Sequence, residues 1–95
     1  MKFLAIEKEL QLVNQKPTKQ LLREEAEMVY NLQQKSIIRE IYFNVDNCAV
    51  IILECVDKSE AESILNELPL VKNGFIEFQI TELKPYTGFS RLIQA

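Results

Sequence analysis

The chain of 95 residues contains no histidine and only two glycines, Gly74 and Gly88. Without histidine, Ser-His and Cys-His nucleophile pairs are excluded, as are histidine metal ligands and a histidine general base. Two isolated glycines cannot form a phosphate-binding glycine loop. Cysteine is scarce as well: Cys48 and Cys55 lie in or beside one predicted strand and are not spaced as zinc ligands. They read as reduced, partly buried thiols of a cytosolic protein, so a cytoplasmic location is expected. Excess positive charge is missing too. Eleven Lys and Arg stand against fourteen Asp and Glu, interspersed, for a net charge of −3. Nucleic acid and anionic membrane both demand a basic face, so neither is expected as the main partner. The apolar start at Met1 meets charge by Glu7, too early for a signal sequence or a membrane span.

What is present is an apolar content of 47%, enough for one core in a single domain over residues 1–95. Phe3 to about Val13 reads as a strand, broken by Asn14-Gln15-Lys16-Pro17. Thr18 is a helix N-cap, and strong helix formers run from Lys19 to about Lys35. Leu22, Ala26, Val29 and Leu32 form the apolar stripe of that helix, with Leu21 and Met28 at its edge. Ile37–Phe43 is β-branched and aromatic, and reads as a second strand. A turn at Asp46-Asn47 leads to the apolar run Ala49–Val56, a strand of the kind buried on both faces. Ser59 with Glu62 has the capping-box spacing and opens a short helix with the stripe Ala61, Ile64, Leu65 and Leu68, stopped by Pro69. Asn73-Gly74 is a turn, Phe75–Leu83 is the last strand, and a tail follows Lys84-Pro85-Tyr86.

The order β-α-β-β-α-β predicts an α+β, ferredoxin-like domain: a four-stranded antiparallel sheet with two helices on one face. Alternate strand residues point to opposite faces. Ile76, Phe78 and Ile80 suit the helices, whereas Phe75, Glu77, Gln79 and Thr81 face the other way. Both sets of the third strand are largely apolar, and Leu4 and Ile6 oppose Phe3, Ala5 and Glu7 in the first. A helix-free face of this composition would be a large apolar patch. A homodimer with its two sheets face to face, a dimeric α+β barrel, would cover it, and higher oligomers could build on that pair. The tail from Tyr86 to Ile93 either covers a neighbouring subunit or packs on its own domain.

For acid–base chemistry the remaining groups are carboxylate, lysine, tyrosine and cysteine. The candidates are polar groups on otherwise apolar strand faces. Glu7, Glu54 and Glu77 are candidate catalytic carboxylates, since a carboxyl in an apolar cavity has a raised pKa and can carry protons near neutrality. Arg39 is the candidate anchor for a substrate carboxylate, with Tyr42 beside it as a second binding residue. The same groups could instead form strand-end or inter-subunit ion pairs. Glu25 lies at the edge of the helix stripe, either reaching toward the sheet or solvated.

A helix closing on Leu68-Pro69-Leu70, a turn, and a strand ending Ile80-Thr81-Glu82-Leu83 resemble the muconolactone isomerase family. Glu25, Leu32, Arg39 and Ile41 fall in the helix-to-strand segment as that family's Glu, Leu, Arg and Leu do, and the start Met1–Phe3 also fits. The first strand departs from that family's pattern, with Leu4 and Ile6 where it has His and Arg. The resemblance implies the ferredoxin-like fold, a dimeric barrel, and movement of a double bond in a small lactone carboxylate by proton transfer. It implies no metal and no organic cofactor. The expected function is therefore a cofactor-independent isomerase acting on a small anionic molecule. The alternative is a non-catalytic dimeric module that binds a small molecule or a protein partner. A cofactor-independent monooxygenase of the dimeric-barrel type is a third reading that no residue singles out.

Overall fold

A computed structural model of the chain describes residues 1–10 and 15–93. The order is β1 (Lys2–Glu9), α1 (Lys19–Gln34), β2 (Ile38–Phe43), β3 (Ala49–Glu54), α2 (Lys58–Asn66), α3 (Pro69–Lys72) and β4 (Ile76–Leu83), followed by a 3-10 turn over Gly88–Leu92. The strands form one antiparallel sheet in the order β2-β3-β1-β4. This is the ferredoxin-like α+β arrangement anticipated from the element order. The expected extension of β1 to Val13 runs into residues 11–14, outside the described residues.

Register assigns the faces. Ala5 lies opposite Ile51 on one side and Ile80 on the other, so these three share a face. With Phe3, Leu53, Ile38 and Ile76 they form the sheet side of the core, and Ala61, Leu65 and Leu68 close it from the α2 side. The opposite face carries Leu4, Ile6, Val50 and Ile52 at its centre, and no helix covers it. In the single chain β3 is therefore buried on one face only: Ile51 and Leu53 are buried, while Val50 and Ile52 are half-buried.

The first helix begins where its chemistry dictates. Thr18 Oγ1 accepts the N–H of Leu21 at 3.1 Å. Its stripe behaves differently from the expectation. Met28, Val29 and Leu32 pack on the core, yet Leu22 is 47% exposed and no residue of α1 is fully buried. The N-terminal half of α1 thus stands off the sheet. The second helix is capped by Asp57 rather than Ser59: the Asp57 carboxylate accepts the Glu60 N–H at 2.8 Å, two residues upstream of the expected cap. An ionised acceptor makes the stronger cap, and a carboxylate also suits the positive end of the helix.

Pro69 does stop α2, but it also opens a further helical turn, α3. Its missing N–H costs nothing at the first helical position, where that donor would be unpaired anyway. Arg39 occupies a register shift between Ile38 and Glu40, a bulge in β2 that breaks strict alternation.

Candidate functional site

The space left where α1 stands off the sheet is a cavity of about 530 Å³. α1 supplies Leu22, Glu25, Ala26, Val29, Tyr30 and Gln33, the sheet supplies Glu7, Ile41, Tyr42, Phe43 and Ala49, and Leu70 closes one end. Its size lies in the range of small-molecule pockets, and its walls are mostly apolar with a few polar groups, as such pockets usually are. Two of those polar groups are carboxylates.

Glu7 reaches the cavity because it follows Phe3 and Ala5 on the helix-facing side of β1, opposite Phe78. Its Oε1 accepts the Ala49 N–H at 3.2 Å, which steers the carboxylate along the β3 end of the cavity. Glu25 arrives from α1, and its Oε1 accepts the Leu70 N–H at 3.0 Å, in the first turn of α3. That contact ties α1 to the Leu68-Pro69-Leu70 corner. Burial is the main influence on Glu25 and raises its pKa above the ordinary carboxylate range. The Leu70 hydrogen bond opposes the rise, and the charge of Glu7 adds to it. Each carboxylate uses one oxygen on the backbone, so the second oxygen of each has no protein partner among the described residues. Glu7 and Leu70 also border a second cleft of about 380 Å³, whose other walls include Glu9, Gln15, Lys16, Pro17 and Phe75.

The candidate residues are not gathered in one place. Glu7 borders the cavity under α1, and Tyr42 touches its edge, but the register of Tyr42 with Val50 puts its side chain on the open sheet face. The Tyr42 hydroxyl donates to Glu40 Oε1 at 2.8 Å, and that bond to a carboxylate pushes the phenol pKa up. Arg39 is not among the cavity residues; its Nε donates to the Ser36 carbonyl at 2.6 Å, where the bulge aims it at the end of α1. Glu54 lies on the open sheet face, paired with the amino terminus of Met1, and that hydrogen bond holds its carboxyl below the ordinary range. Glu77 is on the same open face, opposite Lys8. The residue absent from the candidate list is Glu25. Its signal was present in the stripe-edge position and in its place beside the family-like Leu32 and Arg39, but a single glutamate on a charged helix does not announce which way it points.

No protein-family model matches the chain, and no curated protein matches it by sequence. Solved structures do. The chain is similar to muconolactone isomerase, with 19% identity and a TM-score of 0.75, over 92% of each chain. It is also similar to 5-chloro-2-hydroxyhydroquinone dehydrochlorinase from Burkholderia phenoliruptrix AC1100, determined in complex with 2,5-dihydroxybenzoquinone. There the identity is 16% and the TM-score 0.65, over 93% of this chain and 98% of that one. The fold implied by the muconolactone isomerase resemblance is thus the fold of this chain.

Proposed function

We propose that the protein is a small-molecule enzyme of the isomerase type that moves a proton within a ring-sized substrate held in the cavity under α1. It would need neither metal nor organic cofactor. The observation that carries this reading is the pair Glu7 and Glu25 on one apolar-walled cavity, with Glu25 shifted toward its protonated form. A carboxyl tuned upward by burial is a competent proton carrier near neutral pH. Glu25 takes a proton from one substrate carbon and returns it to another, and Glu7 accepts a hydrogen bond from the substrate and orients it. The likeness to an isomerase and a dehydrochlorinase, both acting on small molecules by their names, supports the class of chemistry.

Glu54, Glu77 and Arg39 would take part only if a second copy covers the open sheet face and makes an interior there. The test is deuterium incorporation from D₂O into a panel of enolisable cyclic ketones and lactones, followed by NMR. Glu25→Gln and Glu7→Gln should slow exchange by roughly 10²-fold or more, the usual worth of a positioned acid–base group. A comparable loss in Glu54→Gln or Glu77→Gln, with none in Glu25→Gln, would move the chemistry to the open face.

A second reading, a non-catalytic binding module, is favoured by one observation. Both carboxylates already accept a backbone N–H, so each has a structural task. It requires that no member of the panel exchange above the buffer rate.

A further inference from the structure

The charge pattern of the cavity points to a class of ligand. We propose that the cavity under α1 selects uncharged, ring-sized molecules that donate hydrogen bonds, and discriminates against carboxylate anions. The inference deepens the functional reading above by naming what the same site accepts.

The argument begins with what the walls lack. Among the described residues lining the cavity there is no lysine and no arginine, whereas Glu7 and Glu25 both border it. Arg39, the cation that the sequence offered as an anchor, is held by the Ser36 carbonyl and does not line it. An anion entering would exchange water for Leu22, Ala26, Val29, Ile41, Phe43 and Ala49, with no opposite charge to replace its hydration. It would also meet the Glu7 and Glu25 carboxyls, which share the same lining. Burial and, less strongly, the charge of Glu7 likewise favour the neutral form of Glu25, against the Leu70 hydrogen bond.

What the walls offer besides apolar surface is the one oxygen of Glu7 and of Glu25 not used by the backbone, with the Tyr30 hydroxyl and the Gln33 amide also on the lining. A hydroxyl or amide N–H on a ring can satisfy such an oxygen without bringing net charge into the pocket, and the ring itself can lie against Val29, Ile41 and Phe43. A cationic ligand would gain attraction from the carboxylates but would still have to give up its hydration against the apolar walls.

Three probes on one ring separate these cases: 4-(hydroxymethyl)phenol, 4-hydroxybenzoate and 4-hydroxybenzylammonium, each titrated into the intact protein at pH 7 by calorimetry. The neutral probe should bind about tenfold or more tighter than the benzoate, a difference of about 1.4 kcal/mol. Glu25→Gln and, separately, Glu7→Gln should narrow that gap by improving benzoate binding, with amide NMR spectra confirming that each variant keeps the fold. Benzoate binding as tightly as the neutral probe overturns the proposal, as does tightest binding of the ammonium, or no binding by any of the three. Neutral-selective binding in a protein that catalyses no deuterium exchange would remove the enzyme reading and leave this one standing.

Discussion

Two residues in left-handed backbone end two helices by the same hydrogen-bond pattern, with different chemistry. After α1, Ser36 at φ 63° donates to Gln33 and Ile37 donates to Leu32. After α3, Gly74 at φ 76° donates to Val71 and Phe75 donates to Leu70. Both are Schellman closures, and glycine is the residue that adopts this geometry without penalty. Gly74→Ala should therefore destabilise the protein by about 1 kcal/mol through backbone strain alone, because a Cβ there meets nothing within 4 Å. Ser36→Gly should stabilise it by about 0.5–1 kcal/mol for the converse reason. Urea unfolding of the two variants, with unchanged m-values, measures both. The glycine was legible in the sequence as a turn; the serine was not, because nothing in its side chain signals positive φ. The same limit applied to Glu25. Residue type and spacing put it at the edge of a stripe, but the choice between sheet and solvent was made by the Leu70 N–H, a partner 45 positions away.

At the level of elements, α1 is held by its C-terminal half on the core and by Glu25 on α3, with the cavity between. The strands were legible because alternation and β-branched runs are local signals. α3 was not: four residues give no periodicity, and Pro69 reads equally as an end and a beginning. The Glu25 tie has a pH signature. Its folded-state pKa is raised, so the folded protein binds more protons than the unfolded chain between the two values, and stability falls as pH rises through that window. Above it, ionised Glu25 is a standing cost. Glu25→Gln keeps an oxygen for the Leu70 N–H and removes the charge, so it should raise Tm at pH 7. That gain should shrink as pH falls below the ordinary carboxylate range near 4.5, where the wild-type carboxyl is neutral in both states. Glu25→Ala also removes the charge but leaves the Leu70 N–H without its acceptor, so its Tm at pH 7 should lie below that of Glu25→Gln by the equivalent of about 1 kcal/mol. Thermal scans from pH 3.5 to 8 separate the two variants. A Gln variant less stable than wild type throughout would show that the carboxylate charge is itself stabilising.

For the whole molecule the unanswered surface is the open sheet face. Leu4, Ile6, Val50 and Ile52 sit together at its centre on adjacent strands, with Ile6 39% exposed. Around them the face carries both signs of charge: Lys2 and Lys8 on β1, Glu40 on β2, Glu54 on β3 and Glu77 on β4. Tyr86, Phe89, Leu92 and Ile93 are all more than two-thirds exposed, in a chain whose long axis spans 60 Å against 27 and 23 Å. An apolar centre with a rim of mixed charge is the kind of surface that can pair with a second copy across a twofold axis. We infer a homodimer closed sheet on sheet, with the projecting tails available to reach across it. Ile52→Glu places a charge at the middle of the buried patch and should convert the dimer to monomer at micromolar concentration, read by light scattering after size exclusion. Val45→Glu, at a hairpin position 98% exposed, should leave the assembly unchanged and controls for added charge. Circular dichroism on the Ile52 variant distinguishes a folded monomer from a chain that needs its partner to fold. Wild-type protein that runs as a monomer at the same concentration would rule out the sheet-on-sheet pair and, with it, any role for Glu54 and Glu77 in a shared interior.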